Sequence, residues 1–333
     1  MDHDAGRDDS GDGIGPEVMN ATCKVVEAAG GRIDWIEAQA GIPAIEKYGE
    51  PLPDATLDLV RKHRVAIKGP CTTPVGKGFR SINVRLRKDL ELYASVRPVK
   101  TLPSIKVPYT DVDLIVVREN TEGLYAGIEH YVIPGVVESL RLVTRNAAER
   151  IVRYAFELAR NQGRRKVTVV HKADVLPLSD GMFLETARRV ADDYPFLEWD
   201  DQPIDRVALG LALDPTRYDV MVMENLFGDV MSDLCAGLVG GLGVVPGANI
   251  GVRYAMFEAV HGSAPDIAGK GVANPIALLR SAAMMLEHIG QRDPAARIES
   301  SVRKTLERKT GLTRDLGGDG NTASITKELI ANL

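Results

Sequence analysis

The sequence predicts an α/β protein built around a largely parallel sheet, and three observations carry that prediction. Runs of strand length such as 220–223 (VMVM) and 114–117 (LIVV) are apolar throughout, as strands buried on both faces are. Amphipathic helical stretches separate them, most clearly at 147–160. Polar residues cluster where the apolar runs stop, which is where open α/β sheets keep their ligands. A length of 333 residues is enough for two domains or one large α/β domain.

The elements follow in order. The start, MDHDAGRDDS, is acidic, without the apolar core of a signal peptide and unlike an Arg-rich transit peptide; it is expected to be poorly ordered up to about Ser10. Next, GDGIGPEV (11–18) alternates three glycines and puts Pro16 where a helix can start. It is not the dinucleotide fingerprint, which needs G-x-G-x-x-G after a strand, and alone it reads as a tight loop into a helix. Residues 32–40 (RIDWIEAQA) predict a strand, followed by helices at 42–48 and 54–63 and a short strand at 65–67 that stops at Lys68-Gly69-Pro70. The Thr-, Gly- and Pro-rich loop 71–81 is longer and more polar than most connections, a mark of functional loops.

A helix at 83–90 leads to a strand at 93–99 with Arg97 inside it, and the 114–117 strand runs straight into Arg118-Glu119-Asn120. Residues 127–143 alternate weakly, carry β-branched side chains and read as a two-stranded arm. After the 147–160 helix, a strand at 166–170 ends in His171-Lys172-Ala173-Asp174, and Ser179-Asp180-Gly181 opens a helix to about 192. A strand and a helix share 199–213, with Asp205 near their junction. The 220–223 strand is followed by a turn with Gly228 and a helix ending at Gly240-Gly241. A strand at 255–260 precedes a second long polar loop, HGSAPDIAGKGVANP, and helices at 276–289, 295–308 and 325–331 close the chain. There is no internal repeat, low-complexity tract or Ser/Pro linker.

Composition narrows the class. With 44% hydrophobic and 26% charged residues this is an ordinary globular composition. A net charge of -5 gives no electrostatic case for nucleic acid or an anionic membrane, and no apolar run reaches the roughly 18 residues of a membrane span. Cys23, Cys71 and Cys235 are far apart and in no metal spacing, which reads as reduced and intracellular.

Chemistry gathers at the strand ends. Asp229 and Asp233 are four apart, so on a helix they share a face and repel unless something positive offsets them. Hard oxygen ligands without thiols suit Mg2+ or Mn2+; a solvated helix face is the ordinary alternative. Arg87, Arg97 and Arg118 suggest a di- or tricarboxylate, because guanidinium forks match carboxylates bidentately. Arg97 and Arg118 sit in or at the end of apolar runs, where a guanidinium needs an anionic partner, and Lys172 closes an apolar strand in the same way.

The motifs GDGIGPEV, TTPVGKGFRSINVRLRKDLELYASVRP, VRENTEGLYAGIEH, VHKAD, NLFGDVMSDLCAGLVGGLG and FEAVHGSAPDIAGKGVANP, in that order, resemble the metal-dependent β-decarboxylating dehydrogenases, the isocitrate/isopropylmalate dehydrogenase family, from Gly11 to Leu333. Within that family the chain looks most like the NAD-dependent isocitrate type. The resemblance implies a two-domain fold that is not a true Rossmann fold, with 1–97 plus 241–333 as a large cofactor-binding domain and 98–240 as a small domain bearing the arm and the dimer interface.

It also implies roles. Arg87, Arg97 and Arg118 would bind the substrate carboxylates, with Ser81 and Asn83 taking the distal carboxylate of isocitrate, since an isopropyl group there would leave polar groups unpaired. Asp229 and Asp233, with Asp205 from the partner subunit, would hold Mg2+ or Mn2+. Lys172, also from the partner, would take the hydroxyl proton beside the metal, and Tyr125 would protonate the enolate carbon. NAD would meet Thr72, Thr73 and Glu258 near its nicotinamide, and His261, Gly262, Ser263 and Asn274 at its adenosine. Asp266 and Ile267 would favour the ribose of NAD over a 2′-phosphate. The implied assembly is a homodimer with shared active sites, in the cytoplasm, or in the mitochondrial matrix if the source is eukaryotic. The alternatives are homoisocitrate or 3-isopropylmalate as substrate, or a regulatory subunit of a hetero-oligomer. Two departures stand out: the acidic start replaces the apolar strand that usually precedes GDGIGPEV, and Asp174 stands where isocitrate enzymes usually have Asn.

Overall fold

The computed structural model describes residues 12–72 and 81–333. The strands are β1 (Val65–Lys68), β2 (Ala94–Lys100), β3 (Asp113–Glu119), β4 (Gly123–Ile133), β5 (Val136–Leu142), β6 (Lys166–His171), β7 (Glu198–Pro203), β8 (Val220–Met223), β9 (Pro246–Ile250) and β10 (Ala255–Ala259). The α-helices are α1 (Gly15–Ala28), α2 (Ile42–Tyr48), α3 (Asp54–His63), α4 (Ile82–Asp89), α5 (Arg145–Asn161), α6 (Ser179–Ala191), α7 (Ile204–Leu213), α8 (Asn225–Leu238), α9 (Ile276–His288), α10 (Arg292–Arg308) and α11 (Thr322–Ala331). The acidic start and most of the 71–81 loop, with Thr73, lie outside the described residues.

Eight strands form one mixed sheet in the order β1-β10-β9-β2-β3-β8-β6-β7, and β4 and β5 pair separately as the expected arm. The run β3, β8, β6, β7 is parallel, while β9 is antiparallel to both β10 and β2, and β2 to β3. One half of the sheet therefore comes from 113–223, and the other from 65–100 together with 246–259. Alternation along β3 shows why both faces are covered. Leu114 and Val116 join a core with α1, α8, α9, α10 and α11, while Ile115 and Val117 join a second core with α5 and α6. Helix α5 reaches that second core through Ile151, Val152, Ala155, Phe156 and Ala159, a helical stripe, and starts at Thr144, whose Oγ1 accepts from Ala147 N at 3.2 Å.

The sequence reading needs three corrections. No strand forms at 32–40, because a strand exists only with a ladder partner and β1, at the sheet edge, pairs with β10 alone among the described residues. A cavity of about 440 Å³ lined by Ile33, Trp35, Val65 and Ile67 lies there, and the segment is tied instead through Arg32 N to Gln291 Oε1 at 2.8 Å and through Gln39 O to Thr56 Oγ1 at 2.7 Å. Gly228 lies inside α8 rather than in a turn before it: a Cβ there would come within 2.4 Å of Arg118 Cγ, so glycine lets the arginine cross the helix. Strand β9 went unread because Pro246 and Gly247 open it. Among the described residues, no helix is long and apolar enough to cross a membrane.

Candidate active site

Strand β8 is buried at every residue, and the chain leaves it through Glu224, whose carboxylate accepts from Leu226 N and Phe227 N and so caps α8. That cap fixes the helix carrying Asp229 and Asp233 beside the ends of β2 and β3. Arg118, next to last in β3, has a side chain only 1% exposed. It donates to Asn225 Oδ1 from Nε at 3.0 Å and from Nη2 at 2.7 Å, and from Nη1 to Asp229 Oδ1. Arg97 on β2 donates to Ser232 Oγ and to Asp233 Oδ1 at 3.0 Å, with Asp229 at 3.9 Å. The repulsion expected between the two aspartates is thus offset by two buried guanidiniums. Tyr125 on β4 completes the group, donating to Asp229 Oδ2 with its ring 5.1 Å from the Arg118 guanidinium.

Electrostatics follow from this packing. Burial lowers both arginines, Arg118 to about 10, and the nearby Arg87 charge pushes each further down. Burial pushes the Asp229 carboxyl up, but Arg118, Tyr125, Arg97 and Arg87 together outweigh it and hold it below its ordinary value. Burial and the Asp229 charge raise the Tyr125 phenol, which keeps its proton near neutral pH.

Helix α4 brings Asn83 and Arg87 to one face, one turn apart. Among the described residues Asn83 Oδ1 and Arg87 Nε are buried without a hydrogen-bond partner, unusual for buried polar atoms and suited to a polar ligand. Ser81 is exposed at the N-cap of α4 and makes no side-chain cap bond. Behind Arg87 lies Glu258 of β10, 3.6 Å from Arg87 Nη2, 2.8 Å from Lys68 Nζ and accepting from Asn249 Nδ2 at 2.7 Å. Burial opposes its charge, but Lys68 and then Arg87 prevail and bring Glu258 down to about 2. Lys68 was missed by the sequence reading although it closes the apolar run VAI just as Lys172 closes VTVV.

Lys172 and Asp205 make a second group. Lys172 Nζ donates to Asp205 Oδ1 at 2.8 Å and to Asp174 Oδ2 at 3.0 Å, so the added charge of Asp174 is met by the lysine. Those carboxylates, Asp205 first, raise the lysine, whereas a neighbouring metal was expected to lower it. Among the described residues, no hydrogen bond or ion pair joins this group to Tyr125, Asp229 or Asp233. Among the described residues, no three metal-ligand side chains converge within one chain. Asp229 and Asp233 still offer the hard carboxylate oxygens that Mg2+ or Mn2+ takes, with a third ligand left to come from elsewhere.

The side expected to meet the cofactor is built by two loops. Gly13 has φ +60, and a Cβ there would fall 1.9 Å from Ser263 O, so glycine lets 12–14 lie against 261–264, where Ile14 N donates to Ser263 O at 2.9 Å. Asp12 holds the neighbouring loop by accepting from Thr72 N, and Thr72 Oγ1 lies 2.5 Å from Ser263 Oγ. Beside them a cavity of about 680 Å³ is lined by Ile14, His261, Gly262, Ile267, Asn274 and Asp315. Among the described residues His261 Nε2 is buried without a partner, and burial lowers the imidazole, which fits a neutral ring facing a polar ligand such as a nucleoside. Asp266 is exposed and outside the cavity lining, whereas Asp315, which accepts from Asn274 Nδ2 at 2.8 Å, lines it and carried no signal in LTRDLGG.

Comparison with known proteins gives a matching picture. Residues 9–332 match the isocitrate/isopropylmalate dehydrogenase family. The chain is 48% identical over 327 residues to isocitrate dehydrogenase (NAD) subunit 2, mitochondrial, of Schizosaccharomyces pombe, covering 97% of this chain and 86% of that protein. It is 48% identical over 324 residues to isocitrate dehydrogenase (NAD) catalytic subunit 5, mitochondrial, of Arabidopsis thaliana, covering 97% and 87%. The crystal structure of isocitrate dehydrogenase from Methylococcus capsulatus superposes with a TM-score of 0.94 at 51% identity, covering 97% of each chain. In sequence and in fold, the chain belongs to the isocitrate/isopropylmalate dehydrogenase family.

Proposed function

We propose that this chain oxidises isocitrate with NAD and releases CO2 to leave 2-oxoglutarate. The observation that carries the reading is the set Arg87, Arg97 and Arg118 around Asp229, Asp233 and Tyr125: guanidiniums for a polycarboxylate, carboxylates for a divalent cation and a protonated phenol in one place. The names of the relatives point the same way. The Asn83 amide, whose Nδ2 can donate, stands one turn from Arg87 on α4 and suits a distal carboxylate better than an isopropyl group.

When bound, NAD accepts the hydride and Mg2+ or Mn2+ draws electron density from the substrate's hydroxyl oxygen. The chain's residues do the rest. Arg97 and Arg118 would exchange their aspartate partners for substrate carboxylates, leaving Asp229 and Asp233, with Asp205, as the residues that would hold the cation. Lys172 takes the hydroxyl proton, and Tyr125 delivers one to the carbon that has lost CO2. His261, Gly262, Ser263 and Asn274 would hold the adenosine end of NAD, Thr72, Thr73 and Glu258 the nicotinamide end, and Asp266 with Ile267 would disfavour a 2′-phosphate. Glu258 acts by anchoring Lys68 and Arg87.

We further infer a homodimer with shared sites, in which Lys172 and Asp205 serve the partner's Asp229 and Asp233. Exposed apolar side chains on the arm, Tyr131, Ile133 and Val137, and near Lys172 and Asp205, Leu178, Leu209 and Leu213, support association. The division into 1–97 with 241–333 and 98–240 is proposed with it; it lies close to the two halves of the sheet, with the 97/98 boundary falling inside β2.

The test is NADH formation by the purified chain with Mg2+ or Mn2+ across isocitrate, homoisocitrate and 3-isopropylmalate, each with NAD and NADP. Isocitrate with NAD should turn over fastest. Faster turnover of 3-isopropylmalate, or NADH only after a second subunit type is added, overturns the reading.

A further inference from the structure

Strand β5 is exposed at every residue except Arg141, whose side chain turns inward and is 15% exposed. Its Nη1 donates to Asp180 Oδ1 at 2.5 Å and to Ser179 Oγ at 3.0 Å, and its Nη2 lies 3.5 Å from Glu224 Oε1. The guanidinium also stands over the Phe227 ring at 5.5 Å. Both carboxylates are nearly out of solvent, Asp180 at 2% and Glu224 at 9%. Each holds an element of the site: Asp180 Oδ2 accepts from Lys172 N at 2.6 Å, and Glu224 caps the helix of Asp229 and Asp233. Arg141 also belongs to the arm whose other strand carries Tyr125.

We propose that Arg141 is a positioning residue: one buried guanidinium locks together the Lys172 turn, the arm of Tyr125 and the N-terminus of the metal-ligand helix. The physical reason is charge. Without it two buried carboxylates face each other with no cation between them, which costs more than the lost hydrogen bonds and drives the N-termini of α6 and α8 apart. Lys172 is held by its backbone amide and the aspartates by their helix, so such a shift moves the proton-transfer group and the metal ligands from their set positions. The kinetic part of this inference rests on the isocitrate reading of the site; the mechanical part does not.

The experiment uses the full chain with Arg141→Met, Arg141→Lys and Asp180→Asn. Hydrogen exchange needs no substrate. Arg141→Met should speed exchange at 172–180 and at 225–228 together, leave α9 at the parent rate, and Arg141→Lys should restore protection at both segments. Unchanged exchange at either segment overturns the proposal whatever the substrate proves to be. With isocitrate, NAD and Mn2+, Arg141→Met should lower kcat by about 10- to 100-fold, the effect of a misplacement on the order of 1 Å, while KM moves less than about threefold. Arg141→Lys should recover most of the loss. The double variant Arg141→Met/Asp180→Asn should be no worse than the poorer single one, because both break one linkage. A kcat within about twofold of the parent for Arg141→Met, or additive losses, also overturns it. A parent chain that does not oxidise isocitrate counts against the functional reading, and the exchange result still decides the linkage.

Discussion

The two charged groups of the proposed site are built in opposite ways. Around Asp229 the cations are buried, with Arg118 at 1% and Arg97 at 9% side-chain exposure, and Arg118 is paired with Asn225 and Asp229 inside the same chain. Around Lys172 the partners are out in solvent, with Asp205 at 69% and Asp174 at 56%. The first group is fixed by the fold, because a guanidinium cannot stay buried unpaired. The second group is held by surface ion pairs, which contribute little to stability. The difference teaches that buried charges can double as structure, whereas exposed ones are held loosely enough to serve the neighbouring subunit proposed above.

The sharpest test of that comparison separates the groups genetically. Lys172→Met and Asp233→Asn should each give a folded dimer with nearly all activity lost. Subunit exchange between the two should return activity, to at most about a quarter of the parent in a statistical equimolar mixture, because one of the two sites in each heterodimer bears neither defect. Heterodimers as dead as the homodimers, with exchange verified, would place both groups in one subunit's site.

Stability should divide the groups next. Arg118→Met leaves Asn225 Oδ1 and Asp229 without their main donor and should cost about 2–4 kcal/mol in chemical denaturation. Lys172→Met should leave the denaturation midpoint unchanged. Equal losses from both would erase the contrast.

Acid should reveal the buried side as well. Glu258 is held at about 2 against an ordinary 4.5, so its contribution is fully present above about 4.5 and is lost as the pH falls toward 2. Glu258→Gln should therefore be less stable than the parent at neutral pH, and the gap should close over that acid window. A gap that widens with acid would mean Glu258 is protonated in the folded chain.

The smallest effect is expected beside the cavity proposed for the cofactor, at exposed Asp266 and at Ile267 of its lining. Asp266→Lys with Ile267→Tyr should shift the NAD to NADP ratio of kcat/KM toward NADP by about tenfold or more, as removal of one repulsive charge and addition of an attractive one allow. No shift would move the ribose-reading role from Asp266 to Asp315, the carboxylate that lines the cavity.

Much of this was legible in the sequence, for reasons that can be named. The run 220–223 and the Asp229/Asp233 spacing have short-range signatures, and Arg97 and Arg118 betray themselves as charges within apolar runs. What could not be read depended on partners distant in the chain. Arg141 looks like any exposed strand arginine until Asp180 and Glu224 are placed beside it. Asn249 belongs to a strand hidden by Pro246 and Gly247, and the segment at 32–40 has the pattern of a strand but no ladder partner among the described residues.

The order of strands in the sheet also sets a timetable for a chain leaving the ribosome. The strands β3, β6, β7 and β8 lie within 113–223, so that half can complete its own ladder from one contiguous piece. Strand β1 pairs through Val65 with Ala255, and the outer edge of β2 pairs through Ala94 with Ile250. The first of these partners lies 190 residues further along (255 less 65). At about 5–20 residues per second, β1 therefore waits roughly 10–40 s for its partner. The half carrying Arg87 and the cofactor loops begins the chain and is the last to close.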